Sequence, residues 1–152
     1  LDTVYVPIGL GSGICGMIAA RNALGLRTKI VGVVASGAPA YALSFAAGKV
    51  VSTNAADTFA DGVAVRGPDP LALDIIRANA ERIVHVGDDE IRAAMRAYYE
   101  DTHQLVEGAG ACPLAALLKE RDAMRGRKVG LVLSGGNIDR PLYAEIIGAN
   151  AG

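Results

Sequence analysis

Gly9, Gly11, Gly13 and Gly16 crowd four glycines into eight residues, directly behind the short apolar run Val4-Tyr5-Val6, which stops at Pro7. The run has the β-branched and aromatic character of a buried strand. Behind the glycines, Met17 to Leu24 reads as a helix, with Ala19, Ala20 and Ala23 as strong formers and Gly25 as its stop. A strand, a glycine loop and a helix together aim bare backbone N–H groups and a positive helix end at an anion. Side chains in such a loop would block close approach or forbid positive φ angles. The expected guest is a phosphate group. A plain tight turn needs fewer glycines than this.

A second glycine loop, Ser134-Gly135-Gly136-Asn137, follows the apolar run Lys128 to Leu133. Both loops fall where a strand ends, the edge at which open α/β sheets bind ligands. A ligand with a phosphate at one end and a polar ring atom at the other would use both. Gly11-x-Gly13-x-x-Gly16 also matches the dinucleotide fingerprint, which wants an acid about twenty residues further on. The second strand ends Val34-Ala35-Ser36, and no Asp or Glu occurs between Asp2 and Asp57. A nicotinamide dinucleotide is therefore disfavoured.

The elements that must carry these loops alternate along the chain. Lys29 to Ala35 reads as a strand covered on both faces, and Ala40 to Ala47 as a helix stopped by Gly48. Val50-Val51-Ser52 is a short strand or extended piece. Thr53 to Pro70 is the longest irregular stretch and has a functional character, given its apolar residues. Asp69-Pro70 starts a helix that runs to about Ala80. Ile83 to Val86 is a strand; Asp88-Asp89-Glu90 opens a helix that reaches about His103. Gln104 to Val106 reads as a brief strand, Pro113 to Met124 as a helix, Lys128 to Leu133 as the last strand and Pro141 as the start of the last helix. This order implies one α/β domain: an open, mostly parallel sheet between two helical layers, an αβα arrangement.

At 152 residues, with 51% apolar and 20% charged, the chain can bury a real core. A net charge of −1 offers no basic footprint for nucleic acid, and the lack of tryptophan argues against a base-stacking surface. No apolar run reaches membrane-spanning length, and no signal-peptide pattern is present. Cys15 and Cys112 lack Cys-x-x-Cys spacing and read as reduced, buried, inert thiols, with the cytoplasm as the default compartment. His85 and His103 have no ligand-like spacing to either cysteine, so no metal cluster is expected.

Four segments together resemble one family. They are Pro7-Ile8-Gly-Leu-Gly-Ser-Gly13, Asp57-Thr-Phe-Ala-Asp-Gly-Val-Ala-Val65, Glu107-Gly-Ala-Gly-Ala111 and Leu133-Ser-Gly-Gly-Asn-Ile-Asp139. In that order and spacing they look like the threonine/serine dehydratase branch of the fold-type II pyridoxal-phosphate enzymes. The resemblance implies a lyase that eliminates water from threonine or serine and releases ammonia and a 2-oxo acid. It implies pyridoxal 5'-phosphate as cofactor, with Gly9, Leu10, Gly11, Ser12 and Gly13 cradling its phosphate and Ser134 bonding its pyridine nitrogen. A neutral hydroxyl there leaves the ring a weaker electron sink than an Asp would, which favours elimination. Asn137 would shape its loop. Glu107 would orient groups near the ring or cap the following helix; Asp61 and Gly62 would form a wall beside the cofactor or a plain turn.

The departures carry expectations of their own. The family's loop is usually four glycines and an apolar residue, a pattern from which Leu10, Ser12 and Gly13 differ. Relatives that bind a divalent cation place acids where this chain has Val34 and Ala40, so no metal site is expected. The family carries its cofactor on a lysine in a Ser-x-Lys motif ahead of the glycine loop. Lys29, Lys49, Lys119 and Lys128 have no such setting and read as solvated surface charges. The expectation is that residues 1–152 are the C-terminal part of the cofactor-binding large domain. The lysine-bearing segment and a small domain would then lie elsewhere, no catalytic residue would lie within this chain, and alone it would be inactive. The complete protein would be a homo-oligomer. Related eliminases or racemases acting on serine, hydroxyaspartate or ectoine-pathway substrates are alternatives within the family, and a non-catalytic phosphate-ligand module is one outside it.

Overall fold

Four of the apolar runs become one all-parallel sheet in the computed structural model, which describes residues 1–148. The strands are β1 (Thr3–Pro7), β2 (Lys29–Ala35), β3 (Arg82–Val86) and β4 (Val129–Leu131), in spatial order β3-β2-β1-β4. β1 is central: Val4 lies opposite Ile30 on one side and Gly130 on the other. The helices are α1 (Ser12–Ala23), α2 (Ala40–Ala47), α3 (Pro70–Asn79), α4 (Asp88–Thr102), α5 (Gly108–Lys119) and α6 (Arg140–Gly148).

The two-residue alternation of the strands divides the core in two. Val4, Val6, Ile30 and Val34 pack with Ile14 and Ile18 of α1, Tyr41 of α2 and Leu73 and Ile76 of α3. Tyr5, Val31, Val33, Val84 and Val86 pack with Ile91 and Met95 of α4, Ala111 and Ala115 of α5 and Ile146 of α6. This is the expected open αβα sandwich. Each fully buried aliphatic chain stabilises it by about 1.5–3 kcal/mol. β1, β2 and β3 step in one direction with α1, α2 and α3 on one face. The return from β3 to β4 runs across the opposite face through α4 and α5, as right-handed crossovers require when the direction reverses. At that reversal the loops after β1 and β4 leave to opposite sides, and a crevice opens between them.

Several elements differ from the sequence expectation. α1 begins at Ser12, not Met17, because Gly11 adopts φ 100° at the N-cap and accepts the first helical bond from the Cys15 N–H at 3.0 Å. Gly13 and Gly16 are therefore helical. α5 begins at Gly108, ahead of Pro113, whose ring lies inside the helix. Small residues at 108–111 hide the apolar stripe that would have marked this start, and Pro113 costs the helix one internal bond. Residues 104–106 form no strand; the Gln104 N–H closes the end of α4 on the Tyr98 carbonyl at 3.2 Å. Val51 takes no ladder partner and exchanges two bonds with the Ser44 side chain. The last strand shrinks to three residues. Strand and helix do not alternate strictly, since two helices separate β2 from β3 and two separate β3 from β4.

Other starts match their sequence signals. Asp69 accepts from the Ala72 N–H at 2.8 Å with Pro70 in the first turn of α3. At α4 the Glu90 carboxylate accepts from the Gly87 N–H at 2.7 Å. Among the described residues no helix is long and apolar enough to cross a membrane, and no group of His, Cys, Asp and Glu has the arrangement of a metal site.

Candidate functional site

The crevice between β1 and β4 holds a cleft of about 430 Å³ lined by Gly9 to Gly13, Gly62, Val63, Glu107, Ala109 and Ser134 among others. All six residues expected to hold a ligand, Gly9, Leu10, Gly11, Ser12, Gly13 and Ser134, thus line one space. No N–H group from Gly9 to Ile14 has an acceptor among the described residues, and Gly11 supplies no side-chain cap to α1. Such orphan donors at a helix N-terminus are what an anion satisfies.

The glycines are glycines for different reasons. At Gly9 a Cβ would come within 2.4 Å of the Gly62 carbonyl oxygen. At Gly11 a Cβ would meet Ala72 and the Tyr41 hydroxyl under 3 Å, on top of its positive φ. Gly13 is the opposite case: its Cβ would meet nothing within 4 Å, although the residue lines the cleft. Glycine is a poorer helix former than alanine, by up to about 0.5–1 kcal/mol in a helix interior. Among the described residues no contact accounts for that cost, whereas a bound phosphate beside the orphan donors would. The residues present fit a phosphorylated ligand.

The remaining walls come from close backbone packing. Asp61–Val63 is a single 3-10 turn, of which Gly62 and Val63 line the cleft while Asp61 lines a side cavity. A Cβ at Gly62 would meet Ala109 at 2.8 Å, so this wall rests on the start of α5. Asp88 holds the preceding stretch, accepting from the Thr58 hydroxyl at 2.6 Å and the Phe59 N–H at 3.2 Å. The 134–137 loop is fixed by the Glu107 N–H donating to the Gly135 carbonyl at 3.1 Å and by glycines too close to Glu107 and Leu105 for a Cβ. Asn137 does not shape this loop through its side chain, whose amide has no partner among the described residues; it lines a side cavity of about 140 Å³ with Phe59, Asp61 and Glu107.

Glu107 takes the N-cap position of α5, yet its carboxylate makes no capping bond. It borders both the cleft and the side cavity with no hydrogen-bond partner among the described residues, so of its two readings the capping one is set aside. The Ser134 hydroxyl is exposed and likewise without a partner there. None of the four lysines lines the cleft. Lys29 pairs with Glu81, Lys119 reaches Glu90 and the His85 carbonyl, and Lys49 and Lys128 are exposed. Cys112 is buried, and burial pushes its thiol up to about 12. Cys15 is half-buried rather than buried, its thiol also raised by burial, with Sγ 3.8 Å from the Ala72 carbonyl.

Sequence reasoning missed Tyr41, which reaches the glycine loop from α2. Its hydroxyl donates to the Leu10 carbonyl at 2.7 Å and accepts from the Asp69 N–H at 3.2 Å. A tyrosine in an alanine-rich helix carries no local signal of a contact thirty-one positions away.

Compared with known proteins, residues 1–135 match the family model described as "Pyridoxal-phosphate dependent enzyme". The L-threonine ammonia-lyase of Geobacter sulfurreducens is 43% identical over 144 residues, 95% of this chain and 36% of that protein. The processed threonine deaminase isoform 2 of Solanum lycopersicum superposes with a TM-score of 0.88 at 29% identity, over 97% of this chain and 42% of that one. Maize serine racemase superposes with a TM-score of 0.87 at 31% identity, over 95% and 47%. The chain spans less than half the length of each of these relatives.

Proposed function

The chain belongs to the pyridoxal-phosphate-dependent enzymes, and from that premise we propose that it is part of an ammonia-lyase that removes water from threonine or serine and releases ammonia and a 2-oxo acid. One observation carries the reading: a single cleft is lined both by backbone donors and by the Ser134 hydroxyl, neither with a partner among the described residues. Pyridoxal phosphate, when bound, supplies an electron sink for bonds at the substrate's α-carbon.

The chain's own residues do the holding. The N–H groups from Gly9 to Ile14 and the α1 dipole would take the phosphate, and the Ser12 hydroxyl, which lines the same cleft, would add a further bond. Ser134 holds the ring nitrogen as a neutral partner that does not force a proton onto it. Gly62, Val63 and Ala109 form one wall of the cleft, and Glu107 presents a carboxylate acceptor beside it. The cofactor-carrying lysine lies outside residues 1–152, a reading supported by the absence of Lys29, Lys49, Lys119 and Lys128 from the cleft lining and by the pairing of Lys29 and Lys119 elsewhere.

In the complete enzyme, ammonia and a 2-oxo acid should form in equal amounts from L-threonine or L-serine. The likeness to maize serine racemase favours one second reading, racemisation. D-serine appearing from L-serine without ammonia would select it, and no reaction with either substrate would contradict both.

A further inference from the structure

The glycine loop has a weakness that glycine itself creates. Gly11 sits at φ 100°, but a residue without a Cβ occupies positive and negative φ with similar ease. The Leu10–Gly11 peptide plane could therefore rotate, and its carbonyl would then replace its N–H at the cleft. A carbonyl oxygen facing an anion is repulsive, where the N–H is attractive. Residues 9–13 alone do not decide between the two orientations.

Tyr41 decides. Its ring is buried, with 1% of the residue exposed, in the core between α1, α2 and α3. The hydroxyl has a single hydrogen, and the Asp69 N–H occupies the oxygen as a donor at 3.2 Å. The hydrogen is thus committed to the Leu10 carbonyl, 2.7 Å away. Every peptide bond here is trans, so the Gly11 N–H points opposite to that carbonyl, away from Tyr41. We propose that Tyr41 is a positioning residue for the anion site: its buried hydroxyl pins the Leu10 carbonyl on the core side and so holds the Gly11 N–H outward. Burial also raises the phenol's pKa, which keeps the hydrogen in place. The Asp69 bond couples the same clamp to the N-cap of α3, so the loop is braced against two helices.

This inference rests on the reading of residues 9–14 as an anion site, and the test separates the two. Inorganic phosphate is titrated into the chain while backbone amides are followed by NMR, for wild type, Tyr41→Phe and Ile76→Val. Ile76→Val trims the same core without touching the loop. In wild type the amides of residues 9–14 should respond together. Tyr41→Phe keeps the ring and should raise the phosphate Kd by about tenfold, with the Gly11 response lost while Gly13 and Ile14 still respond. Ile76→Val should stay within about twofold of wild type. Tyr41→Phe binding as wild type with Gly11 responding, or Ile76→Val weakening binding equally, would overturn the role of Tyr41. Wild-type amides that ignore phosphate would overturn the anion-site reading, and this inference with it.

Discussion

At Gly13 the helix and the cleft make opposite demands. A methyl group there would meet nothing within 4 Å and would favour α1, but it would stand beside the orphan donors at the cleft. Gly13→Ala should raise stability to denaturant by about 0.5–1 kcal/mol. It should also weaken inorganic phosphate binding by about tenfold, the equivalent of roughly 1.4 kcal/mol. Paired urea melts and phosphate titrations check both halves; a stabilised variant that binds phosphate as well as wild type would remove Gly13 from the site. The glycine cluster was legible in the sequence as a loop between strand and helix, and the structure brings it to a cleft with Ser134. What each glycine does was not legible. Gly9 and Gly11 are excluded from bearing side chains by Gly62, Ala72 and Tyr41, partners far along the chain that no local pattern announces. Glu107 was open for another reason: its helix starts where the sequence offers only small residues.

Among the elements, α5 has two jobs: its N-terminus forms the cleft wall, and its C-terminal end is tied to the sheet. Just past the helix, Glu120 accepts from the buried Tyr5 hydroxyl of β1 at 2.5 Å and from Arg82 of β3 through Nε at 2.9 Å. The Arg82 guanidinium, bonded to Glu120, holds that carboxyl below the usual glutamate range, and burial pushes the Tyr5 phenol up to about 12. A carboxyl with a lowered folded-state pKa binds its proton more weakly folded than unfolded. The stability it confers is therefore full above the unfolded value, near 4.3, and is lost as pH falls through the lower folded value. Glu120→Gln should cost about 1–3 kcal/mol at pH 7, and that difference should shrink steadily below about pH 4. Thermal melts across pH measure it; a penalty that stays constant down to pH 2 would show that charge at Glu120 is not what ties α5 to the sheet. β1 to β3 and α2 to α4 were legible from apolar runs, caps and prolines such as Asp69-Pro70, whereas the start of α1 was read five residues late. α5 and β4 were not delimited, because Gly108–Ala111 has no stripe and Pro113 imitates a start, while β4 borders one strand only.

For the molecule as a whole, the αβα sandwich positions two loops at one crevice but brings no lysine to it. Mixed with pyridoxal phosphate and L-threonine, the chain by itself should release no 2-oxobutyrate above the free-cofactor background; turnover there would show that a nucleophile was overlooked. The central claim is that the Gly9–Ile14 donors take the phosphate of the cofactor. It is tested most directly by an amide-resolved NMR titration of the chain with pyridoxal phosphate, set beside one with pyridoxal, which lacks the phosphate. With the phosphate contacts acting alone, affinity should be weak and salt-sensitive. The expected result is that pyridoxal phosphate moves the amides of residues 9–14 and of Ser134 while pyridoxal leaves residues 9–14 in place. Equal responses to both compounds, or shifts that spare residues 9–16, would contradict it.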